Sequence, residues 1–246
     1  MKQLIAAFLK IFFRNRRAIF FVIVLPALIY VILAFLRVEQ VLQFDIGLSY
    51  TDFLLPGIIA YAIMNMGVYT VTYSLIDYKR QLILKRLSVT PLASKSFLLA
   101  HSLARFVVAM IQTAVLLAIG VGIFSAQIKI AVFLLPFVIL LGCLVFLNFG
   151  YIISALAREY EEAAPYTSII GLTLGFFGDV FFPVANLPKF LQDIAAILPM
   201  KPFTALMRYS LFGVGVDLGK DLLILLAWLA VTGIICNAVF AKRAYR

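Results

Sequence analysis

The chain has 246 residues, 65% of them hydrophobic, and a formal net charge of +10. A mean hydropathy of +1.10 excludes an ordinary soluble domain, since soluble chains are about half apolar. The positive charge flanks apolar stretches instead of gathering in one patch, so it marks membrane topology and not a nucleic-acid surface.

Residues 2–14 mix Lys2, Lys10 and Arg14 with Leu4, Ile5, Phe8, Leu9, Phe12 and Phe13, which predicts a helix lying in the membrane interface. A transmembrane helix needs about 20 apolar residues. Six stretches meet that need: 18–36, 54–76, 97–124, 130–156, 163–183 and 221–241. Alternating strands of about 10 residues, the mark of a barrel, are absent, so helices must satisfy the backbone in lipid. The first stretch follows basic residues, as a signal peptide's core does. At 19 residues, with no small-residue cleavage site after it, it is expected to be retained.

Fifteen Lys and Arg residues fall on one side of these spans and six on the other. The richer side holds Lys2 to Arg17, the 77–95 segment, Arg105, Arg158 and the C-terminal basic residues. That bias places both termini in the cytoplasm.

The segment between the second and third spans carries Lys79, Arg80, Lys85, Arg86 and Lys95. Read as a helix over 77–88, it intersperses Tyr78, Leu82, Ile83, Leu84 and Leu87 among these charges. A helix resting on lipid segregates its faces, so this one suits a socket in a partner protein. Thr90 before Pro91 disfavours helix there, and Ser94 can cap the next helix.

Within the spans, ionisable residues are the default functional suspects. Arg105 sits one to two turns into the third span and is expected to pair structurally with Glu159, Glu161 or Glu162. Asp179, near the end of the fifth, is a candidate contact for a cationic substrate, a cap for the re-entrant helix that follows, or a group that reaches the headgroups. The segment after the fifth span, 184–220, has apolar residues at helical spacing between Pro188 and Pro199. It predicts a short re-entrant or interfacial helix roofing the bundle. His101 is expected to pack or meet headgroups, and Cys143 and Cys236 to be packed thiols outside any disulfide framework or metal site. The stretch Gly213 to Asp221 approaches a phosphate-binding loop, but its spacing is one residue too long and no Ser or Thr follows Lys220. Any ATP would therefore be hydrolysed by another chain.

Three stretches carry a family resemblance: LKRLSVTPLASKSFLLAHSLARFVVAMIQ (84–112), FLLPGIIAYAIM (53–64) and FFPVANLPKFLQDIAAILPMKPFTALMRYSLFGVG (181–215). In order and extent the chain resembles the membrane domains of type-2 ABC exporters. The resemblance implies an all-α polytopic protein, one membrane domain over 1–246. It would have six transmembrane helices, an N-terminal interfacial helix, a cytoplasmic coupling helix and a re-entrant outer segment. It implies two copies, most simply a homodimer in the cytoplasmic membrane, each docking an ABC ATPase. ATP and Mg would sit on that partner, with no cofactor on this chain. Tyr78, Arg80, Leu82, Ile83, Lys85, Arg86 and Leu87 would dock the ATPase. Asn65, Met66, Tyr69, Phe176, Phe177 and Phe181, with Asp179, would line the substrate path. Leu82 stands where many members have Gly, which implies a more regular docking helix; Asp179 replaces a small or apolar residue. The expected function is export of an amphipathic drug-like molecule or lipid. The alternatives are export of a polysaccharide or lipid-linked glycan and, in another class, a self-contained proton-coupled transporter.

Overall fold

The computed structural model describes residues 1–36, 48–83, 86, 94–128, 133–214 and 217–243. These residues form helices and turns, with no strand among them. The first helix, α1, covers Lys2–Arg14 and buries Phe12. It lies along the third span, with the Phe8 ring edge-on to Phe97 at 5.4 Å. Asn15 breaks it: its extended backbone ends one helix, and its side chain accepts from Ala18 N at 3.1 Å to start the next.

Helix α2, Arg16–Phe35, contains a π-helical stretch at Phe20–Val24 just ahead of Pro26. Proline supplies no N–H and crowds the preceding turn, and a wider turn relieves that conflict. Helix α3, Tyr50–Arg80, starts at Ser49, whose side chain accepts from Asp52 N at 3.2 Å, and widens into a π-turn at Met66–Val71. Next come α4 (Ser94–Phe124), α5 (Leu134–Leu156) and α6 (Tyr160–Phe177). A 3-10 turn at Val184–Asn186 leads to α7 (Lys189–Ile197), α8 (Met200–Phe212) and α9 (Leu218–Arg243).

Among the described residues, five helices are long and apolar enough to cross a membrane: α2, α3, α4, α5 and α9. The predicted span over 163–183 is α6, and it falls short of the other five. Its 18 residues rise about 27 Å at 1.5 Å each, and its first turns hold Glu161, Glu162, Pro165, Thr167 and Ser168. The apolar run does continue past Phe177. However, Gly178 ends the helix and Asp179 turns the chain with φ +57°, so Val180 to Pro183 belong to a turn.

Helix α3 is the centre of the bundle, 78% buried in its most apolar stretch against 17% for the peripheral α9. It meets α2, α4, α5, α6 and α8. Its crossing with α5 is backbone to backbone. A Cβ on Gly150 would lie 2.1 Å from the Gly67 carbonyl oxygen, and one on Gly67 would lie 2.6 Å from the Phe146 carbonyl carbon. Small residues permit that approach in lipid. Thr72 Oγ1 completes the contact, within 2.5 Å of Val68 O and 3.3 Å of Gly150 O.

The expected helix between Pro188 and Pro199 is present as α7, but Phe190, Ile194 and Ile197 on it are exposed. The buried element of that segment is α8, packed on α3, α5 and α9. The spacing argument had found α7 alone.

Candidate functional site

Between α2 and α3 lies a groove of about 540 Å³. Tyr61, Asn65, Tyr69 and Tyr73 recur every four residues along α3 and so share one helix face. Met66 and Thr70 line it too. Phe21, Leu25, Pro26 and Ile29 of α2 form the facing apolar wall. At the end near α1 the lining turns polar, with Asn15, Arg17, Ser74 and Asp77. The cavity is thus aromatic along its length and charged at one end.

Helix α6 supports the tyrosines from behind. A Cβ at Gly171 would come within 2.3 Å of the Tyr69 hydroxyl, and one at Gly175 within 2.9 Å of the Tyr61 ring. The two glycines, one turn apart, form the notch into which those rings fit. Tyr73 Oη lies 3.2 Å from Thr167 Oγ1, and the Tyr61 ring meets Phe181 edge-on at 5.2 Å.

Of the expected path residues, Asn65, Met66 and Tyr69 line this groove. Phe181 reaches it through Tyr61. Phe176 packs on Phe177 and Phe182 at the end of α6, with ring centroids 5.3 Å apart in each pair, and neither Phe176 nor Phe177 is among the lining residues. Asp179 is held elsewhere. Its Oδ2 accepts from Arg208 Nη1 at 2.6 Å, its Oδ1 from Val184 N at 2.6 Å, and its carbonyl from Arg208 Nη2 at 2.9 Å. The guanidinium also lies over the Phe53 ring, 4.0 Å from its centroid. Asp179 thus holds the 3-10 turn at Val184 and not the start of α7, which has no side-chain cap.

The expected pairing of Arg105 with Glu159, Glu161 or Glu162 does not occur. Arg105 is buried on α4 beside Ser74 (Nη2 to Oγ, 3.4 Å) and the Phe12 ring (5.4 Å). The glutamates lie at the start of α6, and Glu162 accepts from Arg158 N at 2.8 Å. Sequence nearness to the same membrane face misled: α1 lies along α4 and covers Arg105.

The docking segment differs from a single helix over 77–88. Helix α3 ends at Arg80, and Leu82 takes a left-handed φ of +57°. Beyond the break, Arg86 N donates to Leu82 O at 2.9 Å. The expectation that Leu82 regularises the helix is therefore corrected: it sits at the break. Arg80, Leu82 and Arg86 are exposed, Ile83 is half-buried, and Tyr78 turns inward below α1. Lys85 and Leu87 lie outside the described residues. The end of α3 is anchored to the α5–α6 junction. Lys79 Nζ donates to Ser154 O and to Ala157 O, Tyr160 Oη donates to Asp77 Oδ1, and Arg80 lies 5.1 Å over the Tyr160 ring. The bond to Asp77, with some burial, pushes the Tyr160 phenol above its ordinary value.

His101 is buried, its Nδ1 2.9 Å from the Tyr151 hydroxyl. Cys143 and Cys236 are buried free thiols, and no group of three His, Cys, Asp or Glu side chains converges among the described residues. Sequence reasoning missed Tyr61, Tyr73 and the α2 wall of the groove, as well as Arg208 as the partner of Asp179. The four-residue spacing of the α3 tyrosines was the available signal; Arg208 had been counted as a loop charge.

The family model for the ABC-2 family transporter protein matches residues 38–238. The chain is similar to the probable multidrug ABC transporter permease YbhR of Escherichia coli strain K12, with 27% identity over 200 residues, 80% of this chain and 54% of that protein. It is also similar to nodulation protein J of Rhizobium leguminosarum bv. viciae, with 26% identity over 208 residues, 81% of this chain and 78% of that protein. The chain thus spans about half the length of the YbhR proteins it matches. A match over most of its length, onto an all-helical membrane bundle, establishes that the chain belongs to the ABC-2 family of transporter proteins.

Proposed function

We propose that this chain is the membrane-spanning permease subunit of an ATP-driven exporter that moves an amphipathic molecule, drug-like or lipid, out of the cytoplasm or the inner leaflet. The observation that carries the reading is the α2–α3 groove. Its volume of about 540 Å³ falls in the range of small-molecule sites, about 300–1,000 Å³. Aromatic walls would take the apolar body of the substrate, and the end with Arg17 and Asp77 would take its polar head. The multidrug name of YbhR supports the drug-like member of this pair.

Two copies act together in the cytoplasmic membrane, each with its termini in the cytoplasm and each docking a separate ABC ATPase that holds ATP and Mg. Arg80, Leu82 and Arg86 are the exposed contacts for that ATPase. Their anchorage through Lys79, Asp77 and Tyr160 gives its movement a rigid route into α3, the groove wall. On the opposite side α7 and α8 form the re-entrant roof.

The test is co-expression with the cognate ATPase and dye efflux from inverted vesicles. Tyr69→Ala opens the groove wall and should cut transport about tenfold while ATPase co-purification is unchanged. Unaltered transport of every amphipathic dye would refute the groove as the path. Failure of any ATPase to co-purify would refute the subunit assignment.

A further inference from the structure

A second polar site lies under α1 and shares Asn15, Ala18 and Ser74 with the polar end of the groove. Arg105 is 7% exposed and His101 1%. Among the described residues the ion pair is Arg208 with Asp179, so Arg105 has no carboxylate beside it. Its Nη2 reaches Ser74 Oγ at 3.4 Å and its plane lies near the Phe12 ring, but Nη1 has no partner. Nor does Nε2 of His101, whose Nδ1 is engaged by Tyr151. Ser102 Oγ lies 3.0 Å from the Tyr151 hydroxyl. With Tyr151 donating to Nδ1, the imidazole carries its proton on Nε2. Both side chains line one cavity of about 30 Å³, with Ser74 and Tyr78 of α3 on another wall and the exposed Asn15 at the α1–α2 elbow.

The unmet Arg105 Nη1 is a donor, His101 Nε2 is a donor in the tautomer in which Tyr151 donates to Nδ1, and the one formal charge is positive. A buried guanidinium in a membrane protein is retained where an opposite charge or several acceptors meet it. A water needs about 10–15 Å³, so 30 Å³ admits about two atom-sized occupants. A water would satisfy a donor but leave the charge. We propose that this pocket is a small-anion site, taking one phosphate oxygen or one halide between Arg105 Nη1 and His101 Nε2. A lipid phosphate would enter past Asn15 with the rest of the headgroup outside; a free halide would enter whole, and a free phosphate would place one oxygen there.

The experiment uses the full chain in phosphatidylcholine nanodiscs in sodium gluconate, an anion too bulky for the space. Chloride or inorganic phosphate is titrated in one arm, and phosphatidylglycerol is added to the bilayer in the other. A saturable rise in Tm of several degrees is expected in one arm, with its midpoint at least tenfold weaker in Arg105→Gln. A rise with phosphatidylglycerol alone assigns the site to a lipid phosphate; a rise with chloride or phosphate in pure phosphatidylcholine assigns it to a free anion. No rise in either arm, or the same midpoint in Arg105→Gln, overturns the proposal and leaves a water-filled pocket. Should Arg105→Gln not fold, Ser74→Val keeps the charge while placing methyl groups in the pocket. It is expected to weaken the midpoint at least threefold, and a wild-type midpoint there overturns the proposal equally.

Discussion

Leu82 holds a backbone conformation that glycine adopts freely and other L-residues resist by about 1–2 kcal/mol. The substitution Leu82→Gly therefore relieves strain while removing an exposed side chain, whereas Leu82→Ala removes the side chain and keeps the strain. If the side chain is a docking contact, both variants should lower ATPase co-purification several-fold, with Leu82→Gly no less stable than wild type. If the break alone matters, Leu82→Gly should co-purify as well as the native chain. Asp179 carries the opposite lesson, because its strained turn is held by partners. Asp179→Asn weakens bonds to Arg208 and leaves that guanidinium half-answered, at a cost of about 2 kcal/mol. A drop of several degrees in Tm with an unchanged preference between cationic and neutral substrates is expected. A shifted preference at constant Tm would show that the carboxylate faces the substrate. Neither outcome was readable from sequence, since the partner Arg208 lies 29 positions away and hydropathy places it in a loop.

Helices were legible wherever apolar length decided them. The first, second, third, fourth and last spans follow from runs that lipid demands, and the helical state of α1 follows from one apolar side flanked by basic residues. Hydropathy was blind to two things. It joined Val180 to Pro183 onto α6, because a turn lined by apolar residues reads like more helix. It also missed α8, whose buried face is set by neighbours and not by a repeat in its own sequence. Glycines separate positions that look alike on paper. Gly150→Ala drives a methyl into the Gly67 carbonyl and should cost 3 kcal/mol or more, beyond the about 1–3 kcal/mol typical of overpacking. Gly233→Ala on α9 meets Asn148 Nδ2 at 3.8 Å, an ordinary contact. It should be neutral or stabilising by about 1 kcal/mol, as in other helix interiors. Thermal melts of the two variants check this contrast.

At the scale of the whole molecule, the family was legible because its signature stretches lie in the spans and in the segment after them. The groove was only half legible: three of its lining residues came from the resemblance, while its second wall depends on how α2 leans on α3. Packing there is uneven. Helix α3 meets α5 with carbonyl against glycine, and α5 in turn joins α9, where Asn148 Nδ2 donates to Thr232 Oγ1 at 3.2 Å. Helix α2 faces α3 across an open cleft from Tyr61 to Asp77 and meets it at the far end, where Tyr30 Oη donates to Thr51 O at 3.4 Å. Tightly interlocked surfaces resist sliding, whereas a cleft can change width. On the proposed function, the Gly67–Gly150 crossing would make α3, α5 and α9 a stationary block and the Asn15 end of α2 a shutter, with its Tyr30 end held on α3 and α4. An oxidised Asn148→Cys/Thr232→Cys pair inside the block should leave efflux intact. A bifunctional link between Ile29→Cys and Tyr61→Cys should stop it, because a shutter pinned to its frame can neither admit nor release a passenger.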